Sequence, residues 1–188
     1  MRPVDYWEGI IQPSSAIVYV IGAAVLLVWP IFLTWSSSEI WQFTRMVVMG
    51  TIVGFSIFIL WPLNIRRPEF IGDRFGESIM QAVFTVDEPA NCFPSFHSFF
   101  AVLGALVVQQ QVSSKLYVGL AWLIAVGVLV STVMTGQHYC IDVLGGSILA
   151  LVCFGLLRSR RDRSKRRFTF TKNNSSRLGR NESVRRRR

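Results

Sequence analysis

Residues 116–157 read LYVGLAWLIAVGVLVSTVM, then TGQHYC, then IDVLGGSILALVCFGLL, and Arg158 follows at once. Two apolar runs, 116–134 and 141–157, flank a short polar break. At the helical rise of 1.5 Å per residue the first run covers about 28 Å, close to the ~30 Å hydrocarbon core of a bilayer. The stretch therefore predicts two membrane-crossing helices joined by a tight connection, and an all-α, polytopic transmembrane bundle around them. The break also carries chemistry. His138 is one of two histidines in the chain, and Asp142 is the only acid between Glu88 and Asp162. A helix starting near Gln137 would put both side chains, four residues apart, on one face. A carboxylate that accepts one ring N–H fixes the tautomer and leaves the other nitrogen free to attack an electrophile.

Working outward, 97–112 is a third and shorter span, closed by Gln109-Gln110-Gln111 and by Ser113-Ser114-Lys115. It is preceded by Asn91-Cys-Phe-Pro-Ser-Phe-His97-Ser, which holds the second histidine. Two more spans read at 14–35 and 45–63, with Trp29, Trp35 and Trp41 placed as an interfacial belt. The loop 64–93 carries Arg66-Arg67-Pro68 and, over 78–84, a short surface helix with Ile79, Met80, Val83 and Phe84 on one side. The expectation is about five spans; a further embedded segment near residues 5–13 would make six elements.

Composition agrees with a membrane protein. Hydrophobic residues make up 51% of the 188-residue chain, charged residues 16%, and the mean hydropathy is +0.41. The net charge of +9 is local: fourteen Lys/Arg and two acids lie from Arg158 onward, against six and nine before it. The chain is thus expected to divide into a membrane-embedded domain, 1–157, and a basic, disordered tail, 158–188. The high pI does not point to nucleic acid, because the body is slightly acidic. A basic block directly after a span is retained in the cytoplasm. Counting back places Arg66-Arg67, His97 and His138 together on the non-cytoplasmic side, with the N-terminus on that side too. The tail has a second use, adhesion to anionic lipids at about 1 kcal/mol per basic residue near the surface.

These pieces resemble the three signatures of the type 2 phosphatidic acid phosphatase superfamily, which includes membrane lipid phosphatases and vanadium haloperoxidases. The resemblance is carried by Arg67-Pro68, by Pro94-Ser95-Phe96-His97, and by Ser131 with His138 and Asp142 in order. The wording Pro-Ser-Phe-His and Gln-His-Tyr-x-x-Asp-Val is similar to the inositol phosphorylceramide synthase branch. The resemblance implies that His138 forms a phosphohistidine, Asp142 orients it, and His97 protonates the leaving alcohol. It also implies that Arg67, with Arg66, neutralises phosphate oxygens. Ser95 would cap the third span so that helix N–H groups face the phosphate. No metal or other cofactor is implied, since arginines and backbone donors supply the charge stabilisation. Two departures stand out: the Lys that opens the first signature is Leu60 here, and the Arg after the third signature's Ser is Thr132. Fewer cations favour a singly charged phosphodiester or a simple phosphomonoester over a pyrophosphate.

The leading expectation is a phosphatase acting on a phospholipid monoester. A transferase moving a phosphorylated head-group to a lipid hydroxyl shares its first step. A protein that binds lipid phosphate without turnover is the competitor from another class. Plainer roles stand beside each residue. Asp142 can cap a helix, Arg66 and Arg67 can anchor at head-groups, and Gly145-Gly146 reads as close helix packing. His97, His138, Asp142 and Cys140 are also zinc-type donors, but without zinc-site spacing. Cys92 and Cys140, each near a histidine, leave a disulfide open.

Overall fold

The structure is a computed structural model and describes residues 15–33, 37–65, 75–86 and 91–158. All its regular elements among these residues are helices: α1 Ala16–Leu33, α2 Ser37–Leu60, α3 Phe75–Val86, α4 Phe96–Gln111, α5 Lys115–Met134 and α6 Cys140–Arg158. The chain divides into two units, Met1–Phe154 and Gly155–Arg188, and in the second only the last turn of α6 is described. Expectations for Arg66, Arg67, Trp35, the segment 5–13 and the tail beyond Arg158 lie outside the described residues.

Among the described residues three helices, α2, α5 and α6, are long and apolar enough to cross a membrane, and α1 and α4 pack with α5 in the same bundle. Their outward faces carry large apolar side chains such as Ile52, Ile59, Leu123, Ile141 and Ile148, all more than half exposed. A surface of that kind belongs against lipid, where it costs nothing. Trp41 and Trp61 are both exposed, twenty residues apart at the start of α2 and just past its end. That is about 30 Å of helix, the thickness of the hydrocarbon core. The protein is a helical membrane bundle.

Boundaries of α4, α5 and α6 match the apolar runs to within a residue or two at each end. α2 does not: it begins at Ser37, eight residues before the expected Arg45. Glu39 in its first turn faces the positive end of the helix dipole, so the polar segment stays helical outside the apolar core. The surface helix also extends beyond 78–84, to Phe75–Val86.

Helix contact is made through small residues, as expected where lipid removes the hydrophobic drive for association. Ala101, Ala105 and Val108 of α4 meet Ala121, Ala125 and Val128 of α5, all buried. Trp122 donates its ring N–H to Gln109 Oε1 at 2.9 Å at the far end of that pair. On α2, Gly54 and Gly50 leave flat surface that the rings of Phe96 and Phe99 fill. One end of the bundle therefore collects the start of α1, the end of α2, the start of α4, the end of α5 and the start of α6.

Candidate active site

The site end begins where α5 stops. Gly136 has φ 71°, a left-handed conformation that glycine adopts without steric cost. Gly136 N–H donates to Val133 O at 3.0 Å and Gln137 N–H to Thr132 O at 3.2 Å. This pair of bonds is the Schellman termination, and it closes carbonyls that the helix end leaves open. His138 N–H is a second backbone donor to the same Thr132 carbonyl, at 3.3 Å. The position of His138 is thus set by the last turn of α5. Gly136→Ala would force a β-carbon into the left-handed region, at about 1–2 kcal/mol. The expected result is a thermal midpoint lowered by a few degrees, with a larger fractional loss of activity than the stability loss accounts for.

His138 lies two residues before α6 rather than inside it, so the two side chains do not meet by helical spacing. Asp142 does the work. Its Oδ2 accepts the Tyr139 N–H at 2.9 Å, reaching back from the first turn to the residue before the helix. This is the acidic half of a capping box. The same oxygen lies 3.7 Å from His138 Nδ1. That is ion-pair range and longer than a hydrogen bond, and among the described residues the buried Nδ1 has no hydrogen-bond partner. Both side chains are buried, at 8% and 2% exposure for their residues. Capping and facing the imidazole are one arrangement, and the nitrogen turned from the acid is Nε2.

Ser95 is the N-cap of α4: its side-chain oxygen accepts the Ser98 N–H at 3.4 Å. Its backbone N–H donates to the Asp142 carbonyl at 3.0 Å, tying the start of α4 to the start of α6. Two residues on, the His97 ring stands 5.9 Å from the His138 ring, centroid to centroid, tilted by 57°. So Ser95, His97, His138 and Asp142 are together, while Arg66 and Arg67 lie outside the described residues.

One neighbour has no signature in the sequence. Tyr19 in the first turn of α1 is 4% exposed, with its hydroxyl 2.7 Å from His97 Nε2 and its ring 4.4 Å from the imidazole. The signal available was slight, a single polar-tipped residue early in an apolar run. The two departures are also explained by position. Thr132 is fully buried with its hydroxyl donating to Val128 O at 2.6 Å, so an arginine has no room there. Leu60 is 83% exposed at the end of α2, where apolar side chains meet lipid.

The structure joins none of the three cysteines in a disulfide: Cys92 is buried beside Ile65 and Tyr139, Cys140 is exposed, and Cys153 is buried. Among the described residues no three of His, Cys, Asp and Glu gather as a metal-ligand group.

No curated protein sequence matches the chain significantly. A crystal structure described as the first transmembrane PAP2 type phosphatidylglycerolphosphate phosphatase, from Bacillus subtilis, superposes with a TM-score of 0.52. The match covers 86% of this chain and 85% of that one at 20% sequence identity, a likeness of fold. The PAP2 superfamily profile matches residues 8–156, most of the chain and all of the residues just described. On that extent of match, this membrane bundle belongs to the PAP2 superfamily.

Proposed function

We propose that the protein is an integral membrane lipid phosphatase that hydrolyses a phospholipid phosphomonoester through a phosphohistidine. The observation that carries this is the pairing of two imidazoles 5.9 Å apart, His97 half-buried and His138 buried and backed by a carboxylate at Nδ1. With its proton on Nδ1 and facing Asp142, His138 presents an Nε2 lone pair to phosphorus. Attack forms the N–P bond and breaks the P–O bond to the lipid. The departing alkoxide takes a proton from His97. Water then attacks phosphorus, His97 recovers a proton from it, the N–P bond breaks, and phosphate leaves. Ser95 brings the amino end of α4 to the site, where helix N–H groups favour an anion. Arg67 and Arg66 are the proposed partners of the phosphate oxygens. A basic tail on the cytoplasmic side puts the site at the opposite membrane face in this reading.

Two features favour a transferase as a second reading: the Pro94-Ser95-Phe96-His97 wording and the absence of cations at positions 60 and 132. Both suit a phosphodiester and a lipid hydroxyl in place of water. Purified protein given labelled phosphatidate in EDTA, with and without ceramide or diacylglycerol, separates the two. Release of free phosphate is the expected result. Label that appears only in a new lipid, and only with acceptor present, supports the transferase. Binding of phosphatidate with neither product overturns both.

Asp142→Asn tests the orienting carboxylate. The amide oxygen can still accept the Tyr139 N–H, so the helix cap survives while the charge behind His138 is lost. With the histidine no longer oriented by a charge, kcat should fall by at least roughly 100-fold, about 2.7 kcal/mol of barrier, with KM little changed. Equal kcat in the two proteins would remove Asp142 from the mechanism.

A further inference from the structure

We propose that Arg45 and the stripe of α2 below it hold one anionic phospholipid, in the leaflet opposite the two histidines. The end of α2 lies beside the site, so its start is at the far end of the bundle. A hollow of about 330 Å³ runs along this helix, lined among the described residues by α2 alone, from Trp41 to Val53. The lining positions recur at three and four residues and so share one face. Val48 and Ile52 on that face are 49% and 62% exposed. Thr44 turns its hydroxyl inward, donating to Ile40 O at 3.0 Å. Arg45 is the one charged residue among those described on the stripe. Trp41 to Val53 is about 18 Å of helix, a little more than half of the ~30 Å hydrocarbon core. That is the depth filled by the chains of one leaflet.

What the hollow takes follows from the charge at its head. Helix side chains lean toward the N-terminus, so Arg45 reaches back to the level of Trp41. Its guanidinium carbon stands 5.4 Å from the Trp41 ring centroid, a cation–π contact that neutralises no charge. Among the described residues no carboxylate lies in ion-pair range of Arg45. A guanidinium at head-group depth, with apolar side chains beneath it, is costly until an anion meets it. The anion that this interface supplies is a lipid phosphate, and the guanidinium fork gives it two parallel N–H bonds. The chains of the same molecule descend over Val48, Met49 and Ile52 and restore the dispersion contacts that an empty hollow forfeits. A phosphodiester with one net charge, as in phosphatidylglycerol, matches a single arginine. Phosphatidylcholine gains less there, because its choline repels the guanidinium.

The plainer role is an arginine that meets whichever head-groups drift past. A lipid titration of the full chain separates the two. The protein in phosphatidylcholine–detergent micelles receives increasing phosphatidylglycerol while its thermal midpoint is followed. Salt at about 0.3 M weakens attraction to the exposed charges of the tail. A ligand of the folded chain raises the midpoint with concentration. Wild type should show a saturable rise with phosphatidylglycerol and none with the same amount of extra phosphatidylcholine. Arg45→Gln should need at least about tenfold more phosphatidylglycerol for the same rise. Arg45→Lys keeps the charge without the fork and should fall between the two. Lys115→Gln, at the same end of the bundle, should titrate as wild type does. Equal titration of Arg45→Gln and wild type overturns the proposal and leaves the tail or passing lipid as the source of the rise. Equal rises with the two lipids overturn it as well. An equal rise with soluble glycerophosphate does the same, because the stripe below Arg45 then takes no part. Should Arg45→Gln fail to fold, Arg45→Lys decides, and a titration equal to that of wild type overturns the site.

Discussion

Replacement of His138 by alanine is expected to lower phosphatidate turnover by about 10⁴-fold or more, the scale seen when a nucleophilic centre is removed. The same substitution should abolish covalent labelling. Wild-type protein mixed with ³²P-phosphatidate and quenched in alkaline detergent should carry phosphate that is stable to base and released by acid, as a phosphoramidate is. The His138→Ala protein should carry none. Its fold should be nearly intact, because the bonds that place residue 138 are made by its backbone N–H to Thr132 O and by the turn before it. Asp142 keeps its 2.9 Å bond to the Tyr139 N–H when the imidazole is gone. A thermal midpoint near that of wild type, beside lost turnover and lost label, assigns the nucleophile. Full label in the alanine protein would move the phosphoryl group to another residue and end the histidine mechanism.

The parts of this molecule differ in how readily they are read from sequence, for physical reasons. An apolar run is a property of consecutive residues, so α4, α5 and α6 were legible to within a residue or two. The break between α5 and α6 was legible as a site because it concentrates a histidine and an acid in a chain poor in both. The mode of their meeting was not. Spacing suggested one helical face, whereas Gly136 ends α5 and His138 stays in the turn, reached by the capping carboxylate of Asp142. Both arrangements bring residues four apart together, and only backbone hydrogen bonds tell them apart. The start of α2 was missed because hydropathy measures where lipid begins, not where a helix does. Tyr19 was invisible for a different reason: its partner is 78 residues away, and which faces of α1 and α4 meet depends on how the small residues let the helices approach. Thr132 was noticed as a departure, but its burial and its bond to Val128 belong to the packed bundle.

That close approach gives the second large effect, at Gly146. A β-carbon there would meet the Ser95 carbonyl oxygen well inside contact distance and the Phe99 nitrogen at 3.1 Å. Neither neighbour is the end of a flexible side chain. The Ser95 oxygen accepts the Phe99 N–H at 3.0 Å, the first internal bond of α4, and the Ser95 N–H holds the Asp142 carbonyl. Gly146→Ala must therefore push the start of α4 from α6, at about 3 kcal/mol for a backbone shift in a packed interior. His97 is on the element that moves, and His138 with Asp142 is on the side that stays. A displacement near 1 Å between catalytic groups costs roughly 100-fold in rate. The expected result is a clearly lowered thermal midpoint together with at least that loss of turnover at temperatures where the variant remains folded. Gly119→Ala is the matched control: among the described residues nothing lies within 4 Å of a β-carbon there, on the outer face of α5. It should leave stability within about 0.5 kcal/mol and activity unchanged. If Gly146→Ala behaves like Gly119→Ala, α4 and α6 do not meet at Ser95, and the geometry that brings the two histidines together loses its support.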